Sequence, residues 1–415
     1  SYPLLLASAG LLLVVGLTMV FLATSVQAYA AAGNAFAAIA EQATYALVGL
    51  VAFWICQRLP ARTFRSLARP LLVVAFLMQG LLTALSKLAE WAVVSAEGGV
   101  VAIGPVAARE GLWLSFGGLS VQPSEVAKLA LVLWAADVLA RKGAAVADWR
   151  ELMRPLFPVT ALLLLLVGYH DLGTMLCLLM LFVGVLWAAA VQLRVFVAMG
   201  VVGLAGVGAL ILAQRSYRWE RLTSFLNEDC DRLAECYQAV QGRAALADGG
   251  WFGVGLGNAS YKWGWLPEGH NDFIFAIIGE ELGVVGCLVV LGLFAVLAYT
   301  GLRIARRVPD RFRRLAAAGI TTWLIGQTVI NVGGVVGLLP ITGLPLPFIS
   351  AGGSALVVTL AAVGMLASFA RAEPDAARAL HARPPARWVR LLWAPLPPLP
   401  RDRARTAGSK TKEKL

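Results

Sequence analysis

Charge is scarce in this chain. Only 14% of its 415 residues are Asp, Glu, Lys or Arg, while 59% are hydrophobic. Histidine occurs three times, at His170, His270 and His381, positions far apart in sequence. The five cysteines show no metal-ligand spacing with them. These shortages exclude several classes. A soluble domain of this size does not stay so apolar throughout, with mean hydropathy +0.75. The apolar runs do not alternate, which excludes a membrane barrel. The glycine-rich run from Gly249 to Asn258 is not a dinucleotide fingerprint, because no strand precedes it.

What the chain has is long apolar runs. An apolar stretch of ~20 residues spans a bilayer as a helix. The sequence therefore predicts an all-α, polytopic integral membrane protein of about ten transmembrane helices. They are expected near 3–27, 43–58, 70–88, 123–141, 156–170, 172–191, 194–213, 272–300, 315–337 and 349–370. The first run is too long for a signal-peptide core and lacks a basic flank, so it reads as a retained span. Arginine and lysine cluster in three linkers, at Arg58–Arg69, Arg141–Arg154 and Arg303–Arg314. Those linkers lie inside by the positive-inside rule, and both termini are then cytoplasmic. The outer side holds loops near 90–122, 214–271 and 338–348. The membrane domain is expected to cover 1–370. Residues 371–415 read as a basic, disordered cytoplasmic tail beside anionic lipid, which accounts for much of the net charge of +11. Nothing aromatic or patterned in that tail supports a nucleic-acid role.

Cys56, Cys177 and Cys287 lie in apolar runs and read as core residues. Cys230 and Cys236 share the long outer loop, and a disulfide between them is left open.

The most loaded stretch runs Leu266-Pro267-Glu268-Gly269-His270-Asn271-Asp272-Phe273-Ile274-Phe275. It places a carboxylate, Asp272, at the outer mouth of an apolar helix, with His270 beside it. Asp272 reads either as a helix N-cap or as a free base if Asn271 caps instead. Glu280 and Glu281 follow ~12 Å further along the helix. Adjacent residues point ~100° apart, so one of the two is expected to face a cavity and both to serve packing or coupling. Glu125 and Lys128 are three apart and share a helix face, as a structural pair or as an orienting one. Asp171 starts a span, by capping or in a site role. Arg218, Arg221 and Lys262 in the long loop are either solvated or anion-binding. Ser350 reads as a hydrogen-bond donor, and Gly352-Gly353-Ser354 as a close helix contact.

Four blocks resemble the FtsW/RodA family of polytopic membrane proteins. They are Gln122-Pro123-Ser124-Glu125-Val126-Ala127-Lys128, Asp171-Leu172-Gly173-Thr174, the run from Gly250 to Gly283, and Gly337 to Ser354. Within the last, Thr342-Gly343-Leu344-Pro345-Leu346-Pro347-Phe348 is similar to the division branch more than the elongation branch. The resemblance covers about residues 1–370. It implies a peptidoglycan glycosyltransferase that polymerises lipid II onto a lipid-linked nascent glycan, outside the cytoplasmic membrane and at the division septum. It implies a class B penicillin-binding protein as crosslinking partner, alongside other divisome proteins. It places the family's essential aspartate on Asp272 and its glutamate–lysine pair on Glu125 and Lys128. One carboxylate on the attacking side suffices for a single inverting displacement. No cofactor is implied with certainty. A divalent cation, Mg or Mn, could screen the pyrophosphate, though no ligand cluster specifies one. Three departures stand out: Asn271 replaces Thr, His170 replaces Pro, and the segment Arg109–Leu114 lacks the family's Arg before Trp, leaving Leu112 there. The competing class is a lipid II flippase, and a third is a non-catalytic scaffold of the division machinery.

Overall fold

Unalternating apolar sequence folds as helix throughout. The computed structural model describes residues 1–34, 36–92, 100–103, 106–109, 112–116, 119–213 and 236–399. Seven helices run before the long outer loop: α1 Tyr2–Ala32, α2 Ala37–Arg58, α3 Ala61–Ala92, α4 Pro123–Lys142, α5 Trp149–His170, α6 Leu172–Ala188 and α7 Leu193–Ala213. The short α8, Tyr237–Asp248, follows in that loop. Then come α9 Ile274–Arg307, α10 Arg311–Val336 and α11 Gly353–Arg371. Each of the ten expected spans falls in one of these helices. Seven of them (α1, α2, α3, α5, α9, α10 and α11) are long and apolar enough to cross a membrane by length and composition. Among the rest, α4 carries Glu125, Lys128, Asp137, Arg141 and Lys142, while α6 and the described part of α7 are short.

Helix α10 sits at the centre, packed against α9, α6, α4 and α11. Small residues permit this, because helices in lipid associate through close packing rather than through a hydrophobic drive. A Cβ on Gly319 would lie 2.6 Å from Val185, and one on Gly326 would lie 2.6 Å from Met180. Helix α1 approaches the 337–352 segment so closely that a Cβ on Gly16 would sit 2.2 Å from the Phe348 carbonyl oxygen. Phe348 itself has a positive φ of 66° and is buried, an arrangement that costs ~1–3 kcal/mol and that its surroundings enforce.

The helical expectation holds, with one addition, and the reading of the tail needs correction. The outer loop after α3 adds a small element to the helices. It carries an antiparallel sheet in the order β1 Val100–Ile103, β2 Val106–Arg109, β3 Trp113–Phe116 and β4 Leu119–Val121. The fold is thus helical with one small extramembrane sheet. The tail is not disordered over its described part. After α12, Pro374–Ala382, and α13, Arg387–Leu392, the chain returns to the bundle. There the Trp393 indole N–H donates to the Tyr2 hydroxyl at 2.6 Å, and Arg371 donates to the Ala394 carbonyl at 3.2 Å. Apolar and aromatic residues inside a basic tail supply that anchorage. Residues 400–415 lie outside the described residues.

Helix α9 is broken at Gly283 (φ 67°, ψ −167°), a backbone state open to glycine and strained for other residues. An unbroken helix would join the Glu280 and Glu281 carbonyls to the Val284 and Val285 N–H groups. Here a strip of the outer loop lies between them. Val254 and Gly255 donate to the Glu280 and Glu281 carbonyls at 2.9 and 3.1 Å. Val284 and Val285 donate to the Gly250 and Trp251 carbonyls at 3.0 and 3.2 Å. The strip fits because it is glycine-rich: a Cβ on Gly253 would fall 2.1 Å from the Glu281 carbonyl oxygen.

Candidate active site

The strip is fastened by the two acids after it. Glu280 accepts hydrogen bonds from the Ser260 N–H at 2.5 Å and hydroxyl at 3.0 Å. Glu281 pairs with Lys262 at 3.1 Å, and Lys262 also donates to the Gly257 carbonyl at 2.6 Å. Both acids and Lys262 are buried. Both glutamates therefore hold the outer loop, and the idea that only one faces a cavity is replaced by two loop clamps. Lys262 serves this clamp and is buried, not a solvated charge. Arg218 and Arg221 lie outside the described residues. Cys236 is disulfide-bonded, while Cys56, Cys177 and Cys287 are free. Cys230, for which the sequence leaves a bond to Cys236 open, is outside the described residues.

Downstream, the chain from Leu266 to Phe273 turns over the mouth of α9. The Glu268 carbonyl, at a residue with positive φ, accepts from the Asn271 and Phe273 N–H groups at 3.0 and 3.3 Å. Phe273 is the residue that precedes α9, and no side chain caps the helix. The capping role considered for Asp272, or for Asn271, is thus not used. Asp171 does cap: it accepts from the Thr174 N–H at 2.9 Å and hydroxyl at 2.5 Å at the start of α6. His170 ends α5 within 3.0 Å of the Thr83 hydroxyl.

A second segment, Gly337 to Gly352, is stitched to the first. The Ser350 hydroxyl donates to the Asn271 carbonyl at 2.7 Å and accepts from the Leu346 N–H at 2.6 Å. The Ala351 N–H donates to the His270 carbonyl at 3.0 Å, and Gln42 on α2 donates to the Ser350 carbonyl at 3.3 Å. Helix α10 holds the same segment from below. Asn331 donates through one amide nitrogen to the Asp272 carbonyl at 2.8 Å and the Leu344 carbonyl at 2.7 Å. One turn earlier, Gln327 donates to the Pro345 carbonyl at 2.7 Å. Its Oε1 accepts from Lys128 at 2.9 Å and from the Trp323 indole at 2.9 Å. Lys128 pairs with Glu125 at 2.7 Å and is wholly buried. The Glu125–Lys128 pair therefore reaches the site through Gln327 and the Pro345 carbonyl.

These contacts leave Asp272 in a cavity of about 10 Å³ with Asn331, Gly334, Ile341, Thr342 and Gly343. Its Oδ1 is buried and has no hydrogen-bond partner. Burial first, then the carboxylates of Glu268 and Asp171, pushes its carboxyl up to about 7. A larger cavity of about 380 Å³ opens on the far side of His270. Thr24, Glu41, Gln42, Tyr45, Trp113 and Ser120 line it, along with the 351–353 backbone. Volume favours that cavity, but chemistry favours the smaller one, because the shifted carboxyl lies there. Among the described residues no three His, Cys, Asp or Glu side chains converge as metal ligands.

A family model of the cell cycle proteins FtsW, RodA and SpoVE matches residues 2–374. The chain belongs to that family. A probable peptidoglycan glycosyltransferase FtsW from Mycobacterium tuberculosis is 42% identical over 401 residues, covering 96% of this chain and 73% of the relative. The stage V sporulation protein E of Bacillus subtilis is 34% identical over 362 residues, covering 87% of this chain and 94% of the relative. Among solved structures, a chain from a peptidoglycan synthase complex that coordinates polymerization and crosslinking superposes with TM-score 0.68 and 26% identity, covering 88% of this chain and 96% of that one. The rod shape determining protein RodA of Thermus thermophilus superposes with TM-score 0.59 and 25% identity, covering 89% and 96%. The family match spans all four blocks, and the structure adds what the blocks alone did not show. Gln327, Asn331, Trp323 and Gln42 were missed. A signal was present for three of them, since 323, 327 and 331 form one polar stripe at helical spacing in an apolar span.

Proposed function

We propose that this chain polymerises lipid II into glycan strands at the outer face of the bacterial cytoplasmic membrane, with Asp272 as general base. The chain is a multi-pass membrane protein and a peptidoglycan glycosyltransferase of cell division. The observation that carries the base assignment is the Asp272 carboxyl: uncapping, half-buried, with one buried unpaired oxygen and its proton affinity raised to about 7. A base tuned there takes a proton from a sugar hydroxyl near neutral pH. The 4-hydroxyl oxygen forms a bond to the anomeric carbon of the other sugar. The bond from that carbon to the lipid pyrophosphate breaks, and Asp272 receives the hydroxyl proton. The configuration inverts because attack and departure occur on opposite faces.

The departing pyrophosphate needs positive charge. With Lys262 committed to Glu281, that role falls to Arg218 and Arg221 and to Arg243, an exposed guanidinium on α8 beside Gly337. Among the described residues the larger cavity has no Lys or Arg in its lining, and its hydroxyl, amide and aromatic groups, with the Glu41 carboxylate, suit a neutral sugar better than a phosphate. Mg or Mn, where it takes part, rides on the pyrophosphate, since the described residues offer it no ligand cluster. The polymerase works with a crosslinking partner, a class B penicillin-binding protein, at the septum. Both termini face the cytoplasm, in keeping with the arginine-rich linkers. A flippase would leave the tuned carboxyl without a task.

Purified protein and its transpeptidase partner, incubated with lipid II, are expected to yield glycan chains on a gel. Asp272→Ala and Asp272→Asn are expected to yield none while remaining folded. Full polymerisation by Asp272→Asn would overturn the base assignment.

A further inference from the structure

The small cavity beside Asp272 holds a second unpaired acceptor. Asn331 is buried at 5% exposure, and its amide orientation is fixed because both partners of its Nδ2 are carbonyl oxygens. That leaves Oδ1 as the free atom, and it is buried with no partner. Asn331 and Asp272 line the same cavity, and each carries a buried oxygen without a partner. Buried acceptors without donors are costly, and a native site retains them for a ligand that supplies the donor. A space of about 10 Å³ admits one water-sized group.

We propose that Asn331 is a positioning residue for the glycosyl transfer, and that its Oδ1 and the Asp272 carboxylate together seat one hydroxyl group, the attacking hydroxyl of the acceptor sugar. The inference rests on Asp272 being the base. A hydroxyl admitted there shares its one proton between the two acceptors in a three-centre hydrogen bond, and Asp272 takes that proton as the oxygen attacks. The nitrogen of the same amide fixes the Asp272 and Leu344 carbonyls, so one side chain sets both the base's backbone and the hydroxyl's place. A divalent cation fits less well. It takes about six oxygens, and the side chains lining this cavity include one carboxylate, one amide and one hydroxyl, those of Asp272, Asn331 and Thr342. The charged groups that bear on Asp272 are Glu268 on its own loop and Asp171 at the head of α6. Helix α10 and residues 341–344 bring no titratable side chain to the cavity.

The test is the pH dependence of lipid II polymerisation by the full chain with its transpeptidase partner. Asn331→Asp sets a second carboxylate beside the first. The acidic limb of the kcat profile is then expected to move up by about one pH unit or more, with activity partly regained above pH ~9. Asn331→Ala is expected to lower kcat by about 10²-fold and leave KM within about twofold. An unmoved limb in folded Asn331→Asp, or an Asn331→Ala loss confined to KM, would reduce Asn331 to a backbone tether and overturn the proposal. A limb that moves down on Mg addition would assign the cavity to a cation and overturn it too. An active Asp272→Asn would instead remove the base reading beneath it; an inactive Asp272→Asn with an unmoved limb sinks this inference alone.

Discussion

Replacing Asp272 with Asn should do two opposite things. Polymerisation should stop, and the folded protein should become more stable at alkaline pH. The second effect follows from the raised carboxyl. Its folded value is about 7 against an ordinary 3.8. The folded state therefore binds the proton more tightly, and the stability this provides is fully present below pH ~4. It is lost as pH rises through about 7, where the buried carboxylate must ionise. A gap of about three units corresponds to about 4 kcal/mol, and the partial exposure of Asp272 brings this nearer ~2 kcal/mol. Asn has the shape of the protonated acid and carries no such cost. Thermal unfolding of wild type and Asp272→Asn in the same detergent is expected to give similar midpoints near pH 5 and a higher midpoint for the variant at pH 8.5. In parallel, kcat/KM of the wild type should fall on the acid side with a midpoint near 7, because the base must be ionised. A midpoint near 4, or a stability difference that does not change with pH, would refute the reasoning.

Lys128→Met strands Glu125, whose Oε2 is already buried and unpaired, and should cost about 3–5 kcal/mol in unfolding experiments. Glu125→Gln in the same chain should recover much of that stability without recovering polymerisation, since Gln327 still lacks its lysine donor; normal polymerisation by folded Lys128→Met would make the pair structural only. Gly253→Ala drives a Cβ into the Glu281 carbonyl at a residue with φ of 78°, and should destabilise by at least about 3 kcal/mol and expose the strip to proteolysis near Trp251. Lys262→Met should loosen the strip and lower activity, and Lys262→Met/Glu281→Met should restore stability; a defect seen only in lipid II turnover and not repaired by the pair would return Lys262 to phosphate binding.

The ten helices were legible because apolar runs of bilayer length leave the backbone no alternative. The sheet was not, because its strands of three or four residues are too short to show a period. The break in α9 was hidden for a different reason. Its local sequence, Glu280-Glu281-Leu282-Gly283, reads as a helix with an isolated glycine, and only the partner strip some thirty residues upstream reveals the gap. Asp272 was legible as a carboxylate at a helix mouth, but whether it capped or stayed free depended on a turn centred on the Glu268 carbonyl. Glu280, Glu281 and Lys262 were visible as buried or loop charges, and their pairing required the fold to bring residues 257–262 back onto α9. Trp393 and Ala394 were lost in a basic tail, where charge masked two anchoring residues.

The break at Gly283 also divides α9 by what surrounds it. As one rod, the 34 residues of α9 would measure about 51 Å, some 20 Å more than the hydrocarbon they cross. Every residue from Ile274 to Glu281 is buried in protein, whereas Val284, Val285, Leu288 and Val289 just beyond the break are exposed and apolar. The lower ~24 residues, about 36 Å long, match a membrane with modest tilt. The upper turns, enclosed by protein, then form a plinth beneath the loop that carries Asp272.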